Sequence, residues 1–120
     1  MRYTLFVLSP PETGNSNRQA LRFAEAAVAA GHQIACTFFF DAGVLTGLSG
    51  AEAPQDEDDL RNAWESFANS HQVPMHLCVA SAARFGLQSG DRRLSSFELA
   101  GLGELVEAGQ HADRVLSFGD

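Results

Sequence analysis

Cys78 is the residue of this sequence whose type and position best suit chemistry. It ends a short apolar run, Met75–Cys78, which begins just after Pro74 and has the character of a strand. An alanine-rich segment follows and stops at Gly86, which is typical of a helix closed by a glycine. A thiol at this junction lies at the carboxyl end of a strand, where α/β proteins bind ligands. It also lies at the amino end of a helix, where main-chain N–H groups favour negative charge, so the pattern predicts a nucleophilic thiol.

The free energy needed to ionise this thiol sets a condition on its surroundings. An ordinary cysteine with a pKa of about 8.5 is only ~3% thiolate at neutral pH. Making it mostly thiolate requires about 2.7 kcal/mol of differential stabilisation. A helix terminus supplies about 0.3–1 kcal/mol, and up to about 2 kcal/mol in a partly buried site. We therefore expect a further donor or cation near a reactive Cys78. The alternative is a buried structural cysteine that packs as a small apolar residue.

Few side chains are placed to assist Cys78 or to react with it. His76 lies two residues earlier on the same strand face, about 6.7 Å away along the strand. Two arrangements of His76 fit this spacing. In the first its ring hydrogen-bonds the Cys78 sulfur, and in the second its hydrogen bonds are satisfied within the layer that covers the sheet. Arg84 is expected to serve the carboxyl end of its own helix. Cys36 lies inside the apolar run 33–40 and is expected to be a buried, inert thiol. Disulfide exchange normally needs a resolving cysteine, whereas a single thiolate can carry a sulfur atom as a persulfide.

No other group of residues forms a recognisable metal or cofactor site. His32, His71 and His111 flank predicted strand or helix ends, and nothing groups them as metal ligands. The carboxylates of residues 56–59 suit the first turn of a helix, where they stabilise the positive end of the helix dipole. Residues 10–14 lack the glycine spacing of dinucleotide-binding and phosphate-binding loops. We therefore expect neither a metal nor a cofactor.

The elements that must position Cys78 alternate between strands and helices. Strands are predicted at 3–9, 33–40, 75–78 and 113–118, and helices at about 15–30, 56–71, 79–86 and 102–108. Residues 87–101 are predicted to form an irregular, exposed loop. Trp64 falls on the apolar stripe of its helix and is expected in the core. This order calls for a parallel sheet with helices on both faces, whose loops gather around Cys78 at one edge.

Length and charge narrow the class of protein. The chain of 120 residues suits a single domain, residues 1–120. Its net charge is −7 and it contains eight arginines and no lysine, so direct binding of nucleic acid is not expected, because that binding rests on neutralising phosphates. Its apolar runs fall far short of the ~20 residues of a membrane helix. Its amino end resembles a first strand rather than a signal peptide. We expect a cytoplasmic protein without membrane contact.

Four segments, taken in their joint order, resemble the TusD/DsrE family of sulfur-relay proteins. The segments are residues 38–44, Asp59-Leu60 with Ala63-Trp64, residues 78–86, and residues 97–105 followed by 113–115. Each is weak alone, but together they span nearly the whole chain. The resemblance implies a flavodoxin-like, three-layer α/β/α fold with a mostly parallel sheet of four to five strands.

The resemblance also implies an activity. It implies a sulfurtransferase subunit that accepts sulfane sulfur as a persulfide on Cys78, which matches the family's active cysteine, and passes it on without cofactor or metal. Members of this type form cytoplasmic hetero-hexamers of related DsrE-fold subunits, which take sulfur from a small carrier protein and hand it to a downstream acceptor. The sulfur ends in 2-thiouridine at the tRNA wobble position, or serves dissimilatory sulfur oxidation. A non-catalytic assembly subunit is the main alternative, and a small-ligand or nucleotide binder is the third.

Overall fold

Strands and helices alternate along the chain, as the sequence predicts. A computed structural model describes residues 1–50 and 59–119. Its strands are β1 (Arg2–Val7), β2 (Gln33–Phe39), β3 (Met75–Cys78), β4 (Phe97–Ala100) and β5 (Arg114–Phe118). Its α-helices are α1 (Ser16–Ala29), α2 (Leu60–His71), α3 (Val79–Arg84) and α4 (Leu102–Gln110).

The five strands form one parallel sheet in the order β4-β3-β2-β1-β5. The first three connections step the same way across the sheet, whereas the connection from β4 to β5 crosses to the other edge. Because such crossovers are right-handed, α1, α2 and α3 lie on one face and α4 on the other. The predicted three-layer α/β/α architecture is confirmed. The strand order differs from the 2-1-3-4-5 order of flavodoxin itself.

The main core lies between the sheet and the helices α1 and α2. Leu5, Phe39 and Leu77 project into it from three neighbouring strands and are fully buried. Trp64 of α2 is also fully buried there, and its ring packs edge-on against Phe39 at 5.4 Å. The prediction that Trp64 is a core residue is confirmed.

The opposite face of the sheet carries a smaller cluster. Cys36 and Phe38 are buried there, with Phe40 partly buried beside them. The only α-helical residues in this cluster, within the part of the chain that the structure describes, are Leu105 and Ala108 of α4. This layer is therefore thinner than the main core, and Cys78 belongs to it.

Residues Asp41–Gly47, which follow β2 after Phe40, form a 3₁₀ helix that we call the 41–47 segment. The sequence pattern there is too weak to predict more than a loop. The Gly43 N–H donates to the Leu8 carbonyl oxygen at 3.2 Å. A Cβ at Gly43 would lie 2.3 Å from the Val7 carbonyl oxygen, so the segment approaches β1 more closely than any side chain allows.

Asn17 ties the 41–47 segment to the rest of the molecule through buried hydrogen bonds. Its side chain is 1% exposed. Its Nδ2 donates to the Ser9 carbonyl oxygen at 3.0 Å and to Thr46 Oγ1 at 2.9 Å. Its Oδ1 accepts from Trp64 Nε1 at 2.8 Å. One amide thus joins the end of β1, the 41–47 segment and α2.

The loop predicted for residues 87–101 is wrong in part, because it contains β4. Phe97–Ala100 pairs with β3 as an edge strand. Only Phe97 and Ala100 of its four residues are buried, so the apolar run is too short and too interrupted to stand out in the sequence.

Asp59 is the one described residue among the carboxylates predicted to open α2, since residues 56–58 lie outside the described ranges. It is the N-cap, and its Oδ1 accepts from the Asn62 N–H at 3.2 Å. In the same described ranges, no helix combines the length and apolar character needed to cross a bilayer.

Candidate active site

Cys78 lies at the junction of β3 and α3, as predicted. It is the last residue of β3 and the N-cap of α3. Because side chains alternate along a strand, Met75 and Leu77 enter the main core and Cys78 faces the other way. Its thiol is free and only partly buried. Ala100 is its neighbour on β4, so a small side chain flanks it in the sheet.

Hydrogen bonds from the first turn of α3 favour the thiolate form of Cys78. Burial raises the pKa of Cys78, while hydrogen bonds from the Ser81 hydroxyl and from the main-chain N–H groups of Ser81 and Ala80 lower it. The Asp41 carboxylate raises it again, because two like charges repel. The net result is a pKa of Cys78 below its ordinary value. Since α3 has six residues, individual donors rather than a long helix dipole stabilise the negative charge.

Ser81 is a residue of the surroundings of Cys78 that the sequence pattern did not single out. It is 6% exposed, and its Oγ accepts a hydrogen bond from the Asp41 N–H at 3.0 Å. A signal was available in the sequence, because a serine three residues after an N-cap position faces the same end of the helix. A hydrogen bond from this side chain is the largest of the effects that lower the pKa of Cys78.

Contrary to expectation, the Arg84 side chain does not bind the carboxyl end of its own helix. Its Nη2 contacts Asp41 Oδ1 at 3.1 Å, and its guanidinium lies 5.7 Å from the ring centre of Phe85. Both charged side chains of this pair are more than 60% exposed, so the pair adds little to stability. It links α3 to the 41–47 segment immediately beside the thiol.

His76 meets the second of the two arrangements left open by the sequence only in part, since its ring lies within the covering of the sheet but is not satisfied there. Its ring stacks on Phe38 at 5.9 Å, within the covering of the sheet. Its Nδ1 is buried and has no hydrogen-bond partner among the described residues. The groups that shift the pKa of Cys78 do not include it.

Cys36 is a buried thiol, as predicted. It is 4% exposed, and burial raises its pKa from 9.0 to about 11. In the sheet Thr37 pairs with Met75, which places Cys36 about four residues, or roughly 13 Å, from Cys78 along the strand direction. This separation exceeds the reach of a disulfide, so Cys36 cannot resolve Cys78.

The remaining histidines lie apart from the thiol. His32 Nδ1 lies 3.0 Å from the Met1 amino group, His71 packs on the Phe67 ring, and His111 follows the end of α4. Across residues 1–50 and 59–119, no three histidine, cysteine or acidic side chains come close enough to hold a metal ion.

Comparison with known proteins finds relatives along nearly the whole chain. The model of the "DsrE/DsrF-like family" matches residues 1–118. The "Sulfurtransferase TusD homolog" of Pasteurella multocida is 39% identical, over 97% of this chain and 98% of that protein. "Sulfurtransferase TusD" of Klebsiella pneumoniae is 35% identical, over 98% of this chain and 100% of that protein.

The fold has a counterpart among solved structures. The crystal structure of the ychN protein from E. coli superposes with a TM-score of 0.84 at 25% identity, covering 98% of this chain and all of that one. Together with the family match and the relatives above 30% identity, this similarity shows that the chain belongs to the DsrE/DsrF-like family.

Proposed function

We propose that this chain is a sulfurtransferase subunit of a sulfur relay, which receives sulfane sulfur as a persulfide on Cys78 and passes it to a partner protein. The sulfur is destined for 2-thiolation of the wobble uridine of tRNA. The relatives named sulfurtransferase TusD support the reaction class, and the destination is the one that the resemblance to the TusD/DsrE family implies. We place the reaction in the cytoplasm.

The observation that carries the proposal is the environment of Cys78. A thiol must be reachable by another protein and must ionise near neutral pH to trade sulfur. Cys78 is partly exposed, and hydrogen bonds from α3 lower its pKa. The other thiol, Cys36, is buried with a raised pKa, so the reaction is assigned to one sulfur.

The proposed reaction consists of two balanced exchanges. In the first, the Cys78 thiolate attacks the outer sulfur of a donor persulfide. An S–S bond forms at Cys78, the donor S–S bond breaks, and its electron pair leaves with the donor as a thiolate. In the second, an acceptor thiolate attacks the outer sulfur on Cys78, and Cys78 leaves as the thiolate. The sulfane sulfur keeps its oxidation state throughout, so neither exchange needs an oxidant, a metal or a cofactor.

The proposal includes three kinds of protein partner: a small sulfur-carrier donor, a downstream acceptor, and related DsrE-fold subunits in a hetero-hexamer. Exposed apolar side chains support assembly, since Leu102 and Val106 of α4 are 68% and 59% exposed and Val115 of β5 is 44% exposed. Val79, next to Cys78 in the chain, and Phe85, at the far end of α3, are also exposed and offer contact area to a visiting chain. With a net charge of −7, we assign RNA contacts to a partner.

Mass spectrometry after incubation with a persulfide donor tests the assignment. The wild-type protein is expected to gain about 32 Da, the mass of one sulfur atom. Cys78→Ser should abolish this gain, and the matched variant Cys36→Ala should retain it. An adduct on Cys36, or none in the presence of a competent donor, would overturn the proposal.

A non-catalytic assembly role is the competing function. It is favoured by the position of Arg84, the cation nearest in sequence to Cys78 on α3, which pairs with Asp41 instead of the thiol. Under this alternative, Cys78→Ala would leave sulfur flow through a reconstituted complex unchanged. Our proposal requires that flow to stop. To separate the two destinations of the sulfur, the sulfur received from persulfidated Cys78 is measured for two kinds of acceptor protein. One kind serves tRNA thiolation and the other serves dissimilatory sulfur oxidation.

A further inference from the structure

We propose that a cavity at the amino-terminal edge of the sheet, opposite the thiol, binds a small carboxylate with an apolar body. The cavity has a volume of about 470 Å³, which lies within the range of small-molecule sites. Pro74 borders it just before β3, four residues from Cys78, or roughly 13 Å along the strand. The inference therefore concerns a second site and does not rest on the proposed sulfur transfer.

The lining of this cavity differs in charge from the chain as a whole. The sequence contains 15 acidic residues against eight arginines, yet none of the described residues that line the cavity is acidic. Arg2 supplies the permanent positive charge of the lining, and the side chains of His32, His71, Gln33 and Gln72 add N–H donors. This set of donors suits an anion, whereas a cation would find no carboxylate there.

The guanidinium of Arg2 is left open to a ligand. Arg2 fixes its strand through the main chain, whose N–H donates to Asp113 Oδ2 at 2.7 Å. Arg2 also borders a neighbouring cavity that contains Glu104 and Glu107, but within the described ranges neither carboxylate forms an ion pair with it. Glu104 instead accepts from the main-chain N–H of Gly101. The planar fork of a guanidinium fits the two oxygens of a carboxylate.

Apolar side chains in the same lining indicate the rest of the ligand. Ile34 and Val73 are each 6% exposed, and Val28 and Pro74 border the same space. A hydrocarbon body placed against them is removed from water, which favours binding. A phosphate ion has no such body, and one arginine would leave its second negative charge unbalanced in a protein of net charge −7. The lining therefore favours an apolar monoanion.

Gln72 is held in a backbone conformation that its residue type disfavours. It follows the last residue of α2 with a φ of 54° and a ψ of 44°, in the left-handed region, where glycine or asparagine is usual. Among the described residues its side chain has no hydrogen-bond partner, and it lines the cavity. An amide that contacts the ligand accounts for a glutamine at a position where glycine would avoid the strain.

The carboxyl ends of α1 and α2 point to the same edge, and their partial negative charge opposes an anion. Main-chain N–H groups already bond part of these ends: the His32 N–H donates to the Ala27 carbonyl at 2.9 Å, and the Val73 N–H donates to the Ala68 carbonyl at 3.1 Å. The attraction of the anion must consequently come from side chains, and from Arg2 above all.

NMR titrations of the full-length, ¹⁵N-labelled protein test the inference with four probes. Hexanoate, hexanol and hexylamine share one apolar body and differ in charge, and inorganic phosphate is an anion without that body. Arg2→Gln removes the charge of the cavity. Arg22→Gln is the matched control, because Arg22 is an exposed arginine of α1 that does not line the cavity. Gln72→Gly is titrated in the same way, and its stability is measured by urea unfolding.

We expect hexanoate to bind saturably and to shift the main-chain signals of residues 33–35 and 72–73. Arg2→Gln should weaken this binding about tenfold, since a hydrogen bond between two charged groups is lost. Arg22→Gln should bind hexanoate as the wild type does. Gln72→Gly should bind it more weakly, while the urea midpoint stays the same or rises, because the strain at this residue is relieved.

Several outcomes would overturn the inference. Hexanol or hexylamine binding as tightly as hexanoate would show that charge plays no part, and phosphate binding as tightly would remove the role of the apolar body. An affinity unchanged by Arg2→Gln, or no saturable binding of hexanoate, would also refute it. Loss of stability together with affinity in Gln72→Gly would show that Gln72 is structural. None of these results bears on the gain of sulfur by Cys78, since the two sites lie at opposite ends of the strands.

Discussion

Replacing Asn17 with alanine tests whether a buried amide holds the framework of the site together. The variant loses three hydrogen bonds, to Ser9, Thr46 and Trp64. Thr46 and Trp64 are fully buried and Ser9 is 8% exposed, so water reaches their freed groups poorly. A buried polar group left without a partner costs about 1–3 kcal/mol.

We expect the free energy of unfolding to fall by about 3 kcal/mol in Asn17→Ala, with the indole N–H of Trp64 as the largest contribution. The Thr46 hydroxyl can rotate, and the Ser9 carbonyl lies nearest the surface, so these two groups should recover part of the loss. With a denaturant slope of about 2 kcal/mol/M, the urea midpoint should drop by about 1.5 M. Asn62→Ala is the control, because Asn62 is exposed and, among the residues that the structure describes, its side chain bonds Asp59 alone.

A double-mutant cycle isolates the Asn17–Trp64 contact. Trp64→Phe removes the same donor while keeping an aromatic ring. If the two residues interact as described, the double variant should be less destabilised than the sum of the single variants by about 1 kcal/mol. Additive losses, or an Asn17→Ala loss below about 1 kcal/mol, would refute the reasoning.

Three further predictions concern charge, packing and pH. Asp41→Asn removes the carboxylate that raises the pKa of Cys78, so the midpoint of its pH–rate profile should move down; a midpoint that rises or stays would contradict this. Gly43→Ala should cost about 1–3 kcal/mol in urea unfolding, because it overpacks a contact where a Cβ would lie 2.3 Å from a carbonyl oxygen. In Gly103→Ala, where a Cβ meets nothing within 4 Å, stability should be kept or gained. Burial raises the pKa of Cys36 from 9.0 to about 11, so the stability this thiol contributes is fully present below pH 9 and lost as pH rises to 11. Wild type should therefore lose about 2–3 kcal/mol more than Cys36→Ala over that interval, by urea unfolding, and equal losses would show that Cys36 is not the group responsible.

The order of most strands and helices could be predicted because each of them leaves a local pattern of apolar residues in the sequence. Strands β1 and β2 are covered on both faces and therefore appear as nearly continuous apolar runs. Strand β4 could not be predicted in this way, since it has four residues and its stability comes from pairing with β3. The 41–47 segment is likewise held by tertiary contacts, from Asn17 and from the close approach of Gly43 to β1.

The position of Cys78 could be predicted for the same reason, whereas the groups around it could not. A strand followed by a helix is visible as a change of periodicity, and the thiol lies at that change. The partnership of Ser81 with Asp41 joins residues 40 positions apart. The pairing of Arg84 with Asp41 spans 43 positions. The spacing of residues within a single helix or strand cannot predict contacts between positions so far apart in the chain.

The balance of opposing effects at Cys78 fits a carrier better than a one-way nucleophile. A thiol with a strongly lowered pKa leaves readily but attacks weakly, and a thiol with a raised pKa is seldom ionised. In this site burial and the Asp41 carboxylate raise the pKa, while the donors of α3 lower it. The net result is a pKa of Cys78 below its ordinary value. The proposed carrier must take up a sulfur atom and then give it away, and a pKa held between opposing effects suits both steps.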